Sequence, residues 1–115
     1  MSINLYLIGI GFGNAKHMTK EAANTIKNCN LILIGKKKEE KSDIADLKKY
    51  ICKSFVKINT VNFQEFIIPE RQSSSKKYVN SVLEWHDKIA KTWVEIINEY
   101  TSRIEKMTLN VGIPI

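Results

Sequence analysis

An apolar run near the amino terminus, Ile3-Asn4-Leu5-Tyr6-Leu7-Ile8, stops at three glycines spaced two apart, Gly9, Gly11 and Gly13, and a helical pattern follows. Strand, glycine loop and helix in that order is how α/β proteins bring backbone N–H groups up to a ligand. Glycine is needed in such a loop because a side chain would block the approach, or because φ must be positive. The arrangement predicts a small-molecule site at the carboxyl end of a parallel strand. It leaves the identity of the molecule open.

The remaining pattern extends that beginning into a full α/β order. After the strand Ile3 to Ile8, a helix is expected from Thr19, an N-cap residue, with Glu21 in its positive first turn and Ala22, Ala23 and Ile26 facing inward. Asn28 to Asn30 end it. Leu31-Ile32-Leu33-Ile34 is a continuous apolar run, as expected for a strand buried on both faces, and Gly35 is expected to close it. A second helix starts at Ser42, with Ile44, Leu47, Ile51 and Phe55 at helical spacing. Val61 to Ile68 reads as a third strand ended by Pro69, which cannot donate to a ladder. From Lys76 to Ile104, Tyr78, Val82, Trp85, Ile89, Trp93, Ile96 and Tyr100 form one helical stripe. Met107 to Val111 is the fourth strand, and Gly112-Ile113-Pro114-Ile115 ends the chain. The order β-α-β-α-β-α-β predicts an α/β fold: a parallel sheet of four strands with helices on both faces. Ligands of such sheets bind outside the carboxyl ends of the strands. The loops there are 9–18, 35–41, 69–75 and 112–114.

Composition narrows the partners. At 115 residues, 43% of them hydrophobic, the chain makes one domain with a real core. Cys29 and Cys52 follow no ligand spacing and read as ordinary thiols, so no metal is expected. The apolar start is short and lacks a basic leader, which reads as a core strand rather than a signal peptide. No segment approaches the ~20 apolar residues of a membrane span. The expectation is a cytoplasmic protein with no membrane partner. The net charge of +6 suits nucleic acid, an acidic membrane or an anionic small molecule. Half of the lysines and arginines lie between Lys36 and Arg71, but Lys36-Lys37-Lys38 runs straight into Glu39-Glu40-Lys41, the mixed pattern of a solvated loop. No aromatics alternate with the lysines, which disfavours a stacking platform for nucleic acid.

The glycine loop is not the dinucleotide form. G-x-G-x-x-G would place its third glycine at Asn14, and an acidic residue would end the second strand where Gly35-Lys36 stands. A P-loop needs G-K-S or G-K-T, which is missing. NAD and ATP are both disfavoured.

Leu7 to Asn14, followed by His17-Met18-Thr19 and a helix with Ala22-Ala23, resembles the opening of the tetrapyrrole methylases, whose first loop reads G-x-G-x-G-(D/N)-x-x-x-(L/M)-T. Three further segments resemble the members that act in cobalamin biosynthesis. Lys37 to Asp43 is similar to K-G-x-x-K-x-D, Pro69-Glu70-Arg71 to the start of D-P-x-R-D-R, and Tyr78 with Val82 to His86 to Y-x-x-x-V-x-x-W-H. The departures are Lys38 for a loop glycine, Gln72 and Ser73 for the final D-R, and Gly112-Ile113-Pro114 for G-D-P.

The resemblance implies an S-adenosyl-L-methionine-dependent methyltransferase and an anionic tetrapyrrole, a precorrin, as substrate. It implies donor binding by Gly9, Gly11, Gly13, Gly112 and Pro114, and substrate binding by Lys37, Lys41, Arg71 and His86. No residue stands out as a general base. It also implies that residues 1–115 are the amino-terminal domain, the second domain, which forms the other wall of the cleft, being missing. A homodimer is expected of the full-length protein. Two other readings stay open, an inactive truncated form of such an enzyme and a small basic nucleic-acid-binding module. A parallel sheet without its neighbours leaves an apolar edge and face exposed, so the isolated chain is expected to dimerise, aggregate or stay partly molten.

Overall fold

The computed structural model describes residues 2–10, 15–37, 43–56, 61–70, 78–104 and 108–115. Within them the elements are β1 (Ser2–Ile8), α1 (Lys20–Asn28), β2 (Leu31–Lys37), α2 (Asp43–Lys53), β3 (Asn62–Ile68), α3 (Tyr78–Thr101) and β4 (Thr108–Pro114). The strands form a single parallel sheet in the order β1-β4-β2-β3. The expected α/β class, with four parallel strands and helices on both faces, is what the chain adopts.

β2 organises the core. Leu31, Ile32, Leu33 and Ile34 are all at most 1% exposed. Because side chains alternate along a strand, the run feeds two cores at once. Ile32 and Ile34 pack with Ile8, Ile26, Ile51 and Cys52 beneath α1 and α2. Leu31 and Leu33 pack with Leu109, Val111, Ile113 and Ile97 beneath α3. Burial of each such side chain contributes about 1.5–3 kcal/mol.

Helix α1 begins as expected, with the Thr19 hydroxyl accepting the Ala22 N–H at 3.1 Å. Past its end, asparagines tie the strands together. The Asn30 N–H donates to the Asn110 carbonyl at 2.8 Å, and the Asn110 N–H donates to Asn30 Oδ1 at 2.8 Å. The Asn62 N–H donates to the Asn30 carbonyl at 3.0 Å, and Asn4 Nδ2 to Asn110 Oδ1 at 3.0 Å. All four strands are thus tied together near their amino ends by backbone and side-chain groups of asparagines that the sequence presented only as helix terminators or strand residues.

Four expectations need correction. β2 does not close at Gly35 but runs to Lys37, because β3 pairs with it as far as Lys37↔Ile68. A Cβ on Gly35 would lie 2.9 Å from Ile68 Cδ1, so the glycine admits that neighbour's side chain rather than making a turn. β4 likewise continues through Gly112 to Pro114, paired with β1 along its whole length. In α2 the inward face is Ala45, Ile51 and Cys52, while Ile44 and Leu47 are 58% and 42% exposed. The apolar periodicity was compatible with a helix turned by about one residue, and contact with β2 selected the small Ala45 for the interior. α3 ends at Thr101 rather than at the expected Ile104. Its Trp93, Ile96 and Tyr100 pack on the sheet around Ile97 as the stripe requires.

Leu33→Ala should lower the unfolding free energy by about 2–5 kcal/mol, the usual cost of a leucine-sized cavity. Urea denaturation followed by circular dichroism measures it.

Candidate functional site

The carboxyl ends of β1 and β4 are locked side by side. Ile8 stands in register with Pro114, the Ile115 N–H donates to the Ile8 carbonyl at 2.8 Å, and the Ile10 N–H donates to the Ile115 carbonyl at 3.3 Å. Gly9 emerges from this lock. A Cβ built on it would meet no heavy atom within 4 Å, so the space beside its backbone is open. A cavity of about 380 Å³ runs between β1 and α1, with Gly9, Thr19 and Ala22 in its wall. Gly11 and Gly13 lie outside the described residues.

Gly112 is a glycine for another reason. A Cβ there would lie 2.8 Å from Cys29 Sγ and 2.9 Å from Ile8 Cδ1. Its missing side chain lets α1 and β1 close over β4. Pro114 is buried at the end of the same strand rather than in a loop. Of the glycines expected to face a ligand, Gly9 is the described one with free space beside it.

A second feature lies across the sheet. The chain leaves β2 toward α2 on one face and leaves β3 toward α3 on the other, and such divergence opens a crevice at strand ends. Between β2 and α2 sits a cavity of about 100 Å³, lined by Lys36, Lys37, Lys48, Ile44 and Ile68. Sequence reasoning placed Lys36 and Lys37 there but missed Lys48, which comes from the first turns of α2, one turn after the inward Ala45. Lys41 and Arg71 lie outside the described residues.

His86 is exposed on α3, its ring 5.5 Å from that of Trp85. The Trp85 indole N–H donates to the Pro69 carbonyl, which fixes this turn of α3 over the end of β3. The histidine is therefore held on the carboxyl side of the sheet, near β3 rather than beside Gly9.

Cys29 and Cys52 are free thiols. Both are buried in the core beneath α1 and α2, and burial pushes each thiol from 9.0 up to about 11. Cys29 Sγ donates to the Thr25 carbonyl at 3.1 Å. Among the described residues no group of histidine, cysteine and acidic side chains could hold a metal ion, and no helix is long and apolar enough to cross a membrane.

Residues 4–103 match the model of the tetrapyrrole (corrin/porphyrin) methylases, and the chain belongs to that family. It is also similar to precorrin-6A synthase (deacetylating) from a Sinorhizobium species. The two are 30% identical over 95 residues, an alignment that takes in 83% of this chain and 36% of that protein. The chain thus spans about a third of the length of this curated relative. The family expected from the glycine loop and the motifs behind it is the family found.

The two glycines should separate in stability. Gly112→Ala should cost about 1–3 kcal/mol through overpacking against Cys29 and Ile8. Gly9→Ala should be neutral or add up to about 1 kcal/mol by restricting the unfolded chain. Denaturant titration of both variants compares them.

The thiols set an alkaline limit. Each has its folded pKa raised, so its contribution is fully present below 9.0 and is lost as pH rises toward about 11, where the unfolded chain ionises first. The melting temperature should fall across that window, and a Cys29→Ser, Cys52→Ala variant should lose this part of the decline.

Proposed function

We propose that residues 1–115 form the amino-terminal, donor-side domain of an S-adenosylmethionine-dependent C-methyltransferase of corrin biosynthesis. In this reading the protein acts as precorrin-6A synthase does, methylating C1 of precorrin-5 with loss of acetate. The observation that carries the reading is the open backbone at Gly9, held in place by the lock between β1 and β4. A packing role does not require glycine there, whereas close approach of a ligand does. Family membership and similarity to the Sinorhizobium enzyme support the same conclusion.

The residues fit a donor of this kind at the described part of the loop. Gly9, with Gly11 and Gly13 beyond it, would bring backbone N–H groups to the donor, and Pro114 at the end of β4 would bound the other side. Gly112 would act indirectly, by keeping β4 close to β1. Bound S-adenosylmethionine supplies a methyl group that is already electrophilic. What remains for the protein is alignment of the acceptor carbon and exclusion of other geometries, and well-aligned reactants gain most of their advantage this way.

The basic edge suits a substrate carrying several carboxylates. Lys36, Lys37 and Lys48 would draw one carboxylate toward the cavity between β2 and α2, and Lys41 and Arg71 would take others. A guanidinium grips a carboxylate through two parallel N–H donors. His86, held near the end of β3, would contact the same substrate. Each exposed charge pair is worth only about 0–1 kcal/mol, so selectivity would come from their sum.

Titration with S-adenosylhomocysteine, followed by amide chemical shifts, tests the donor side. The Gly9, Ile10 and Ile115 amides should move with millimolar ligand, and Gly9→Ala should weaken the response at least tenfold while the protein stays folded. Shifts confined to other parts of the chain, or none at millimolar ligand, would overturn the reading.

A further inference from the structure

We propose that the cavity between β2 and α2 is a slot for one short aliphatic carboxylate arm of a larger molecule, entered carboxylate first, with Lys48 as the residue that selects it. The inference deepens the proposed function and rests on it for the identity of that molecule as the methyl acceptor.

The slot exists because two of the residues lining it are small. Gly35 has no side chain, and Ala45, which α2 brings to the same space, is 3% exposed. A Cβ on Gly35 would lie 2.9 Å from Ile68 Cδ1, so Ile68 lies across the glycine and forms one wall. Ile44 of α2 forms another. The volume, about 100 Å³, is well under the roughly 300 Å³ at which a site begins to enclose a whole small ligand. There is room for an arm and not for the molecule that carries it.

Charge and depth set what the arm ends in. Side chains alternate along β2, so Lys36 continues the row of Ile32 and Ile34 on the face that α2 covers. Lys48 stands one turn after Ala45 on α2. Both lysines are half-buried, whereas Lys37 and Ile44 are exposed and mark the mouth. Ile44 and Ala45 belong to the first turn of α2, which brings the positive end of the helix to the same place. Among the described residues no acidic side chain lines the slot, and Asp46, the next residue of α2, is exposed. Cations with no acid among them favour an anion.

The walls decide between anions. A bare inorganic ion would give up water against Ile44 and Ile68 and gain nothing from them. Methylenes behind a carboxylate bury apolar area on those walls. Lys36 and Lys37 stand at the end of β2 whichever way α2 is turned. Lys48 arrives only because α2 is rotated to put Ala45 inward, so the slot is complete only with Lys48.

Amide chemical shifts of the 115-residue chain, titrated at constant ionic strength with a series of small acids, test the proposal. Propionate should move the Gly35, Lys36, Ala45 and Lys48 amides saturably at millimolar concentration. Each methylene from acetate to butyrate should tighten binding about threefold. Inorganic phosphate should bind at least fivefold more weakly than propionate, and neutral propionamide should leave the amides unmoved. Glutarate, with one carboxylate inside and the other beyond the mouth, should bind within about twofold of butyrate. Lys48→Met should weaken propionate at least fivefold with the circular dichroism unchanged, and Ile44→Ser should remove the gain per methylene while acetate still binds. If Lys48→Met does not fold, Lys48→Gln replaces it, and the length series on the wild-type chain stands alone. No saturable shift, propionamide binding as tightly as propionate, or phosphate binding more tightly than butyrate would overturn the proposal. Glutarate at least tenfold weaker than butyrate would overturn it too, since the slot would then close over a free acid. The donor reading is measured separately, at Gly9 and Ile115 with S-adenosylhomocysteine. A response there without one at the slot removes the slot alone, and the reverse removes the donor reading alone.

Discussion

The sheet is two long ladders joined by a short seam, and the seam decides where everything at the carboxyl edge stands. β1 pairs with β4, and β2 with β3, along their full lengths. β2 meets β4 only at Leu31↔Val111 and Ile32↔Gly112. Two ladder steps would be a weak hinge if they stood alone, since a single backbone hydrogen bond contributes about 0.5–1.5 kcal/mol. The reciprocal bonds between Asn30 and Asn110 lengthen the seam at its amino end, and Asn110 Nδ2 adds a bond to the Asn28 carbonyl at 3.0 Å. Gly112 lets Cys29 and Ile8 close over it. Past this point β2 and β4 separate. The open glycine and the lysine cavity sit on opposite sides of the separation, one in each ladder.

This explains what the sequence could and could not reveal. The apolar run of β2 and the capped start of α1 are local signals, legible because the residues that cause them are adjacent in the chain. Gly35 and Gly112 are glycines whose meaning is not local. Each looked like a strand terminator, and each is instead a place where a side chain from another element fits. Ile44 and Leu47 misled for a related reason, since periodicity gives the existence of an apolar face but not which of two neighbouring faces meets the sheet. In the candidate site, the places of Gly9 and Lys37 at strand ends were legible because strand ends in a β-α-β order are predictable. Lys48 was missed because its approach to the β2 end depends on the rotation of α2. Asn30 and Asn110 carried no signal at all, because their pairing joins residues 80 apart in the chain.

The balance of charge follows the same geometry. Lysines gather where β2 ends and α2 begins, on the side of the sheet away from β1. Lys16, Lys20 and Glu21 stand about the start of α1, and among the described residues Glu21 is the one charged residue lining the trough beside β1. Nucleic acid would be held by basic groups spread along a face, with aromatic surfaces between them. The lysines at the end of β2 instead line a small cavity of about 100 Å³ together with Ile44 and Ile68.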